Sequence, residues 1–456
     1  MREERGGGGK KTAETALEIE GEISRLLEKA AKAKKIDLEA IETALRAAVL
    51  MSGARLLAKL IEGVGRGRRA EALTCACGAR MVSRGVVKKT VLTILGPVTF
   101  RRSRYECPVC EAVRYPGDEA LDVVGTSRSP GVRRMMARAG SRQTFKESRE
   151  DLKIYAGLKV SAKDVERVAE QIGQEMETWQ TQERKELLAA EVPLKVKKTI
   201  PVLYIEMDGT GVPMVKEAVA GRKGKQADGT ARTREVKLGC VFTQSQTDGK
   251  GRPVRDSDST SFVGAIETAE DFGVRLEAEA LRRGLYEAEK VVLLGDGATW
   301  IRGLAELRFP NAQQIIDLYH AREHVADLAK LLWGADDKKI TRQRIRWWTY
   351  LDEGQVEKII KEARKNLPSD KEARKKIESR LHYLEDNKAR MRYADFRKQG
   401  LFVGSGVVEA GCKSIVAARL KQSGMEWSLR GANAIISLRC NILSGRLEQF
   451  WEDRAA

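Results

Sequence analysis

Apolar residues recur at helical spacing early in the chain. Leu38, Ile41, Leu45, Ala48 and Val49 fall at intervals that place them on one helix face, and no proline interrupts residues 12–64. Glycines in "EGVGRGRR" end that segment. Residues 71–125 change to a β-rich pattern, "VLTILGPVTFRRSRYECPVC". Residues 128–190 return to helix, with two helices joined at "GLKVS" and Ser161 placed as an N-cap. A helix-turn-helix and a plain helical hairpin both fit that joint. From residue 199 the pattern alternates: strands "TIPVLYIEMD", "EVKLGCVFTQ" and "SFVGAIE", a helix over 268–284, strand "KVVLLGD", a helix over 299–308 and strand "AQQIIDLYH". A charged helical stretch fills 321–399, and new helices open at "GLFVGSGVVEAGCKS".

That order predicts a topology. The loops between the first three strands permit antiparallel pairing, and the helix before the fourth strand makes it a right-handed crossover, parallel to the first. If strands one and four are neighbours, their ends bring Asp208 of "MDGTG" beside Asp296 of "GDG". Ligands in open α/β sheets favour that edge. Asp-Gly pairs are also common turn signals, and the expectation here is a strand that breaks into a glycine turn at Asp208. Glu409, on a helix opening after Gly404, Ser405 and Gly406, is the candidate third carboxylate; an exposed pair with Lys413 one turn on is the alternative. Three carboxylates suit Mg²⁺ or Mn²⁺, and two such ions can promote phosphodiester chemistry.

Charge narrows the partner. The 456 residues carry 83 Lys and Arg against 65 Asp and Glu, a formal net charge of +18, which favours a polyanion. No apolar run reaches the ~20 residues of a membrane span. The charged N-terminus has no apolar segment after it, so a cytoplasmic protein is expected. Four of seven cysteines cluster as Cys75-x-Cys77 and Cys107-x-x-Cys110, either a tetrahedral Zn²⁺ site or free thiols. "GVVEAGCKS" fails the phosphate-loop pattern because Cys412 separates Gly411 from Lys413. "DLYHAREH" places His320 and His324 one turn apart, but Ala321 stands where a zinc protease has Glu.

Taken together, "YIEMDGTGVPM", "GDGATWI", "DLYHAREH", "MRYADFRKQGLFVGSGVVEAGCKSIVAARLKQSGMEW" and "LRGANAIISLRC" resemble bacterial insertion-sequence transposases of the ISKra-four family, similar to the wider Mutator-like group. The resemblance implies a multidomain α/β protein: a ribonuclease-H-like catalytic core with an all-helical insertion, preceded by a zinc ribbon and helical N-terminal segments. The implied division is 1–70 helical, 71–125 zinc ribbon, 126–198 helical, 199–320 and 400–456 the two parts of the core, and 321–399 the insertion. It implies a catalytic triad of Asp208, Asp296 and Glu409 holding two Mg²⁺ or Mn²⁺ ions, with Asp317 and His320 as an accessory D-x-x-H element. Structural Zn²⁺ would sit on Cys75, Cys77, Cys107 and Cys110, although a two-residue spacer is commoner than "CAC".

The implied partners are double-stranded DNA, as terminal repeats and as target, and other copies of the chain on DNA. The loop 216–237, with seven Lys and Arg against three Asp and Glu, supplies Arg222, Lys223, Lys225, Arg232 and Arg234 as DNA contacts. Lys413, Arg419, Lys421 and Trp427 join them near the Glu409 helix, Trp427 either stacking on a flipped base or packing under that helix. Residues 330–400 carry 20 Lys and Arg against 12 Asp and Glu, interleaved with Trp333, Trp347 and Trp348, which either stack on bases or pack a helical core. A nuclease that cuts without joining, and a non-catalytic DNA-binding derivative, are the alternatives to a transposase.

Overall fold

The computed structural model describes residues 37–456 except 65, 70, 190–198, 225, 335 and 456, together with 21, 24, 25 and 28. Most of the helix expected before residue 37, and Lys225, lie outside the described residues. The chain divides into two compact units, Met1–Gly140 with Phe145–Val168, and Ser141–Thr144 with Ala169–Ala456. The stretch 126–198, read from sequence as one region, is shared between them.

In the first unit, α1 (Leu38–Val64) packs on a meander of β1 (Val82–Thr93), β2 (Gly96–Glu106) and β3 (Val113–Arg114). Ala54 of α1 meets Val91, Val98 and Phe100, so one helix face and one sheet face close a small core. Then come α2 (Pro130–Arg142), α3 (Phe145–Ala156) and α4 (Ala162–Leu188). Ser161 caps α4 as expected, its Oγ accepting the Asp164 N–H at 3.1 Å.

The second unit is built on a five-stranded sheet. Its strands are β4 (Ile200–Pro213), β5 (Thr233–Gln244), β6 (Ser261–Ala265), β7 (Ala288–Gly295) and β8 (Gln313–Ile316), in the spatial order β8-β7-β4-β5-β6. The first three pair antiparallel and β7 runs parallel to β4, as the order of elements predicts, and β8 runs parallel to β7. Helices α5 (Ala269–Arg282) and α6 (Thr299–Arg308) make the crossovers. Strand alternation sorts the faces of β4. Leu203, Ile205 and Met207 join Phe272, Leu276, Ile301 and Leu304 in the core under α5 and α6. Tyr204, Glu206 and Asp208 point to the opposite face.

After β8 come α7 (Leu318–Trp333), α8 (Asp337–Asp352), α9 (Val356–Arg364), α10 (Lys371–Asn387) and α11 (Tyr393–Lys398), then α12 (Gly406–Gly411), α13 (Leu429–Leu443) and α14 (Leu447–Ala455). The interleaved tryptophans of this region pack rather than stack on a ligand. Trp347 is fully buried beside Trp333, and Trp348 Nε1 donates to the Arg322 carbonyl. Among the described residues no helix is long and apolar enough to cross a membrane.

Candidate functional site

The strand does not break at Asp208. β4 continues through Asp208-Gly209-Thr210-Gly211 to Pro213, paired with β5 at every position from Val202. The glycines are there for clearance. A Cβ on Gly209 would stand 2.6 Å from Glu235 Oε1, and one on Gly211 would stand 3.2 Å from Thr233 Oγ1. What ends near Asp208 is the other neighbour. Parallel pairing with β7 runs to Glu206↔Leu294, and β7 stops at Gly295. Continued by two residues, that register sets Asp208 level with Asp296. Pairing of Gly295 with Ile316 sets Asp296 level with Asp317 in the same way. Three parallel strands therefore present an aspartate at one height.

These aspartates differ in what occupies them. Asp317 is fully buried and N-caps α7. Its Oδ1 accepts the His320 N–H at 2.8 Å and lies 3.3 Å from His320 Nδ1, while Oδ2 accepts Ser405 N–H at 2.6 Å and Ser405 Oγ–H at 3.0 Å. Burial alone would raise its pKa, but these bonds hold it below the usual carboxylate range. Asp296 is only half-buried. Its Oδ1 closes a tight turn with Ala298 N–H at 2.8 Å, and its Oδ2 has no hydrogen-bond partner among the described residues. Gly297 follows at φ +83, where a Cβ would also stand 2.8 Å from Tyr383 Oη. Tyr383, from α10, donates to the Asp296 carbonyl at 3.1 Å and stacks on His324 at 3.9 Å. The helical stretch after β8 thus buttresses the Asp296 turn.

Glu409 arrives on α12, which rides close over the sheet. A Cβ on Gly411 would stand 2.7 Å from Phe262 Cε1 and 3.1 Å from Leu238 Cδ2. The Glu409 carboxylate has no hydrogen-bond partner among the described residues. With Asp208, Tyr319, His320 and Glu323 it lines an open cavity of about 520 Å³. Ligand atoms of Asp317, His320 and Glu409 fall within 4.8 Å of one another. Asp317 already spends both oxygens on four bonds, so the groups there with capacity for a cation are Asp208 and Glu409, with Asp296 beside them by register. His320 is pushed up to about 9 by its bond to Asp317, against partial burial and with help from Asp296.

The cysteines of the first unit also converge. Cys75 Sγ lies 3.4 Å from Cys110 Sγ, Cys77 Sγ lies 3.5 Å from Cys107 Sγ, and all four fall within 4.8 Å of one another. A tetrahedral thiolate site with Zn–S of ~2.3 Å needs sulfurs ~3.8 Å apart, so the dimensions fit. Each knuckle turns on a left-handed residue, Gly78 at φ +86 and Glu111 at φ +59. N–H groups of Cys110 and Val109 pull the Cys107 thiol down to about 6.

A model of the uncharacterised protein family UPF0236 matches residues 32–454. The chain belongs to UPF0236. Similar UPF0236 proteins occur in Caldanaerobacter subterraneus subsp. tengcongensis. One is 24% identical over 359 residues, covering 77% of this chain and 67% of the relative. Two others are 23% identical over 360 residues, covering 77% of this chain and 67% or 63% of their own length.

The expected DNA contacts of this UPF0236 chain divide by exposure. Arg222, Lys223 and Arg232 are exposed on a small hairpin between β4 and β5, closed by a Lys223↔Thr230 bridge, and Arg234 is half-buried near Arg222. Lys413 and Lys421 are exposed, and Lys421 Nζ donates to Thr210 Oγ1 near Asp208. Arg419 and Trp427, expected at the DNA face, are buried instead. Arg419 is 0% exposed and stacks on Trp427, itself 6% exposed. Trp427 is pinned to the end of β4 by Trp427 N–H to Pro213 O at 3.1 Å and Val215 N–H to Trp427 O at 3.0 Å. The aromatic ring fills core between strand and helix, leaving nothing for a base to stack on. Arg102 on β2 pairs with Asp118 and covers the Tyr115 ring at 3.6 Å.

Sequence reasoning missed Glu206, Tyr319 and Tyr383. Glu206 did leave a signal: an acid inside an apolar strand, two positions before Asp208 and so on the same face. It is fully buried, and burial lifts its carboxyl to about 8 despite the Val408 N–H it accepts, with Asp317 adding to the rise.

Proposed function

We propose that this chain is a DNA transposase of the Asp-Asp-Glu class, as its resemblance to the ISKra-four family implies. The observation that carries the reading is the strand order β6-β5-β4-β7-β8, the order expected of a ribonuclease-H-like sheet, with Asp208 level with Asp296 by register and Glu409 lining one open cavity with Asp208. The names of two relatives support it: they join eleven and four locus designations within one organism, the pattern a self-copying sequence leaves.

Asp208, Asp296 and Glu409 are hard oxygen donors, and Asp296 and Glu409 keep oxygens unclaimed among the described residues, which suits Mg²⁺ or Mn²⁺. Bound there, two ions would neutralise phosphate charge and activate the attacking oxygen. The protein's own part is positioning. β4 and β7 fix two carboxylates at one height, and α12 swings the third over them. Asp317 orients His320 toward the same cleft, where an imidazolium can meet a phosphate oxygen. The basic β4–β5 hairpin, with Lys413 and Lys421, offers backbone contacts beside the cleft. The thiol cluster would hold a structural Zn²⁺ and fix the β1–β2–β3 meander as a terminal-repeat reader.

The test is to incubate protein, Mn²⁺ and the terminal repeats that flank its own gene with a target plasmid. Nicked ends and joined products are expected, both abolished by Asp208→Asn with end binding retained. Cleavage without joining would leave a nuclease; binding without either would leave a non-catalytic DNA-binding derivative.

A further inference from the structure

We infer that Glu206 is the positioning residue that sets Glu409 over the strand ends, a role that rests on the functional reading above. Along one face of β4, every second side chain reaches the next station of the segment that becomes α12. Tyr204 Oη accepts Phe402 N–H at 3.2 Å, Glu206 Oε2 accepts Val408 N–H at 2.8 Å, and Asp208 contacts Cys412. Glu206 therefore holds the residue immediately before Glu409.

The helix needs such a hold. α12 opens a continuous helical run to Leu420, and its N-cap Ser405 makes no side-chain cap, so its first turn lacks a local hold. Its first amides are taken by other elements: Asp317 Oδ2 accepts Ser405 N–H, and Glu206 Oε2 accepts Val408 N–H. The chain runs on into a π-helical turn, Cys412–Ala417, where Cys412 N–H reaches back to Val408 O and Glu409 O, so the Glu206 bond fixes the open N-terminal end of a continuing helix. Glu206 keeps a cost for this. Its Oε1 is buried with no hydrogen-bond partner, and a buried unpaired oxygen destabilises the fold. What the side chain returns is the bond from its other oxygen. Asp208 and the anchor of Glu409 thus sit on one strand two residues apart, which locks the separation of two carboxylates that are 201 positions apart in sequence.

The experiment compares Glu206→Gln, which keeps an acceptor for Val408 N–H, with Glu206→Met, which has similar length and none. Three quantities are read on full-length protein: melting temperature, hydrogen exchange of the Val408 amide, and Mn²⁺ binding by electron paramagnetic resonance alongside the Mn²⁺ dependence of terminal-DNA cleavage. The Gln variant should bind Mn²⁺ within about threefold of wild type, and the Met variant about 10–100-fold more weakly. The Met variant should also lose Val408 protection, while its melting temperature holds or rises. Wild-type Mn²⁺ affinity in the Met variant overturns the proposal, as does equal loss in both variants. Should the Met variant not fold, Val408→Pro removes the same bond from the helix side, proline being tolerated in a first turn. Wild-type protein that binds no Mn²⁺ sinks the functional reading instead; Val408 exchange then still decides whether Glu206 holds α12.

Discussion

The thiol cluster and the acidic cleft gather side chains of metal-ligand type by opposite means. Cys75 and Cys110 are 35 positions apart, on two knuckles of one small meander. Each knuckle shapes itself, through Cys75 N–H to Ala79 O at 2.9 Å and Cys107 N–H to Ala112 O at 2.9 Å. The cleft draws on β4, the turn after β7, the start of α7 and α12, and its parts are held by bonds between elements. One cluster has little beneath it besides Leu73, Ala79, Met81 and Tyr105. The other stands on a sheet with helices packed on its core. A local thiol cluster over a thin core is expected to depend on the proposed Zn²⁺ to fold. A cleft at the edge of a packed sheet is formed before any ion arrives.

The largest effect that sharpens this contrast is within the cleft. Glu409→Gln should cost cleavage and joining ~10³-fold, about 4 kcal/mol of transition-state stabilisation. Its melting temperature should stay at the wild-type value, because the carboxylate bonds nothing among the described residues. Asp317→Asn should behave in reverse. An amide nitrogen cannot accept from Ser405 or His320, so stability should fall by about 1–3 kcal/mol, the cost of unsatisfied buried donors, with measurable turnover left. Calorimetry and single-turnover cleavage on both variants decide it. A dead, normally stable Asp317→Asn beside an active Glu409→Gln would transfer the third ligand to β8.

The same contrast explains what could be read from sequence. The cysteine pairs announce themselves by spacing. The sheet was legible because strand and helix periods alternate cleanly from residue 199, and order alone then made β7 parallel to β4; that the two are neighbours came from the structure. Ser161 as a cap and the helix over 299–308 were local signals of the same kind. The turn expected at Asp208 failed because Asp-Gly describes local freedom, while pairing with β5 runs on through it. Arg419 and Trp427 looked like a DNA face because a basic, aromatic string carries no mark of burial. Glu206 and Tyr383 act across 202 and 87 positions, and no spacing rule reaches that far.

A smaller effect tests the other half of the contrast. Cys107→Ser, or a strong chelator, should remove about one zinc per chain and unfold the meander around residues 75–114. The melting transition of the second unit should remain. Zinc content with two-transition calorimetry reads this. Four freely titrating thiols in a folded meander would show that the cluster needs no ion, and the distinction between the two sites would collapse.

The smallest effect is in pH. Asp317, already bonded through both oxygens, holds His320 up to about 9, from an ordinary value near 6.5. A group whose folded pKa is raised stabilises the fold fully below its unfolded value and loses that contribution as pH rises through the folded one. In EDTA, the melting-temperature difference between wild type and His320→Gln should therefore be largest below pH ~6.5 and fade by pH ~9. His320 is partly open to solvent, so the difference should be a few degrees at most. A divalent cation placed on Asp208 and Glu409 would repel the imidazolium and favour its neutral form. The Mn²⁺ concentration for half-maximal binding should then fall as pH rises from 6.5 to 9, and should be flat with pH in His320→Gln. A pH-independent melting difference would detach His320 from Asp317. A metal affinity with the same pH slope in both proteins would place the cation away from His320, and with it away from the cleft that Asp208 and Glu409 share.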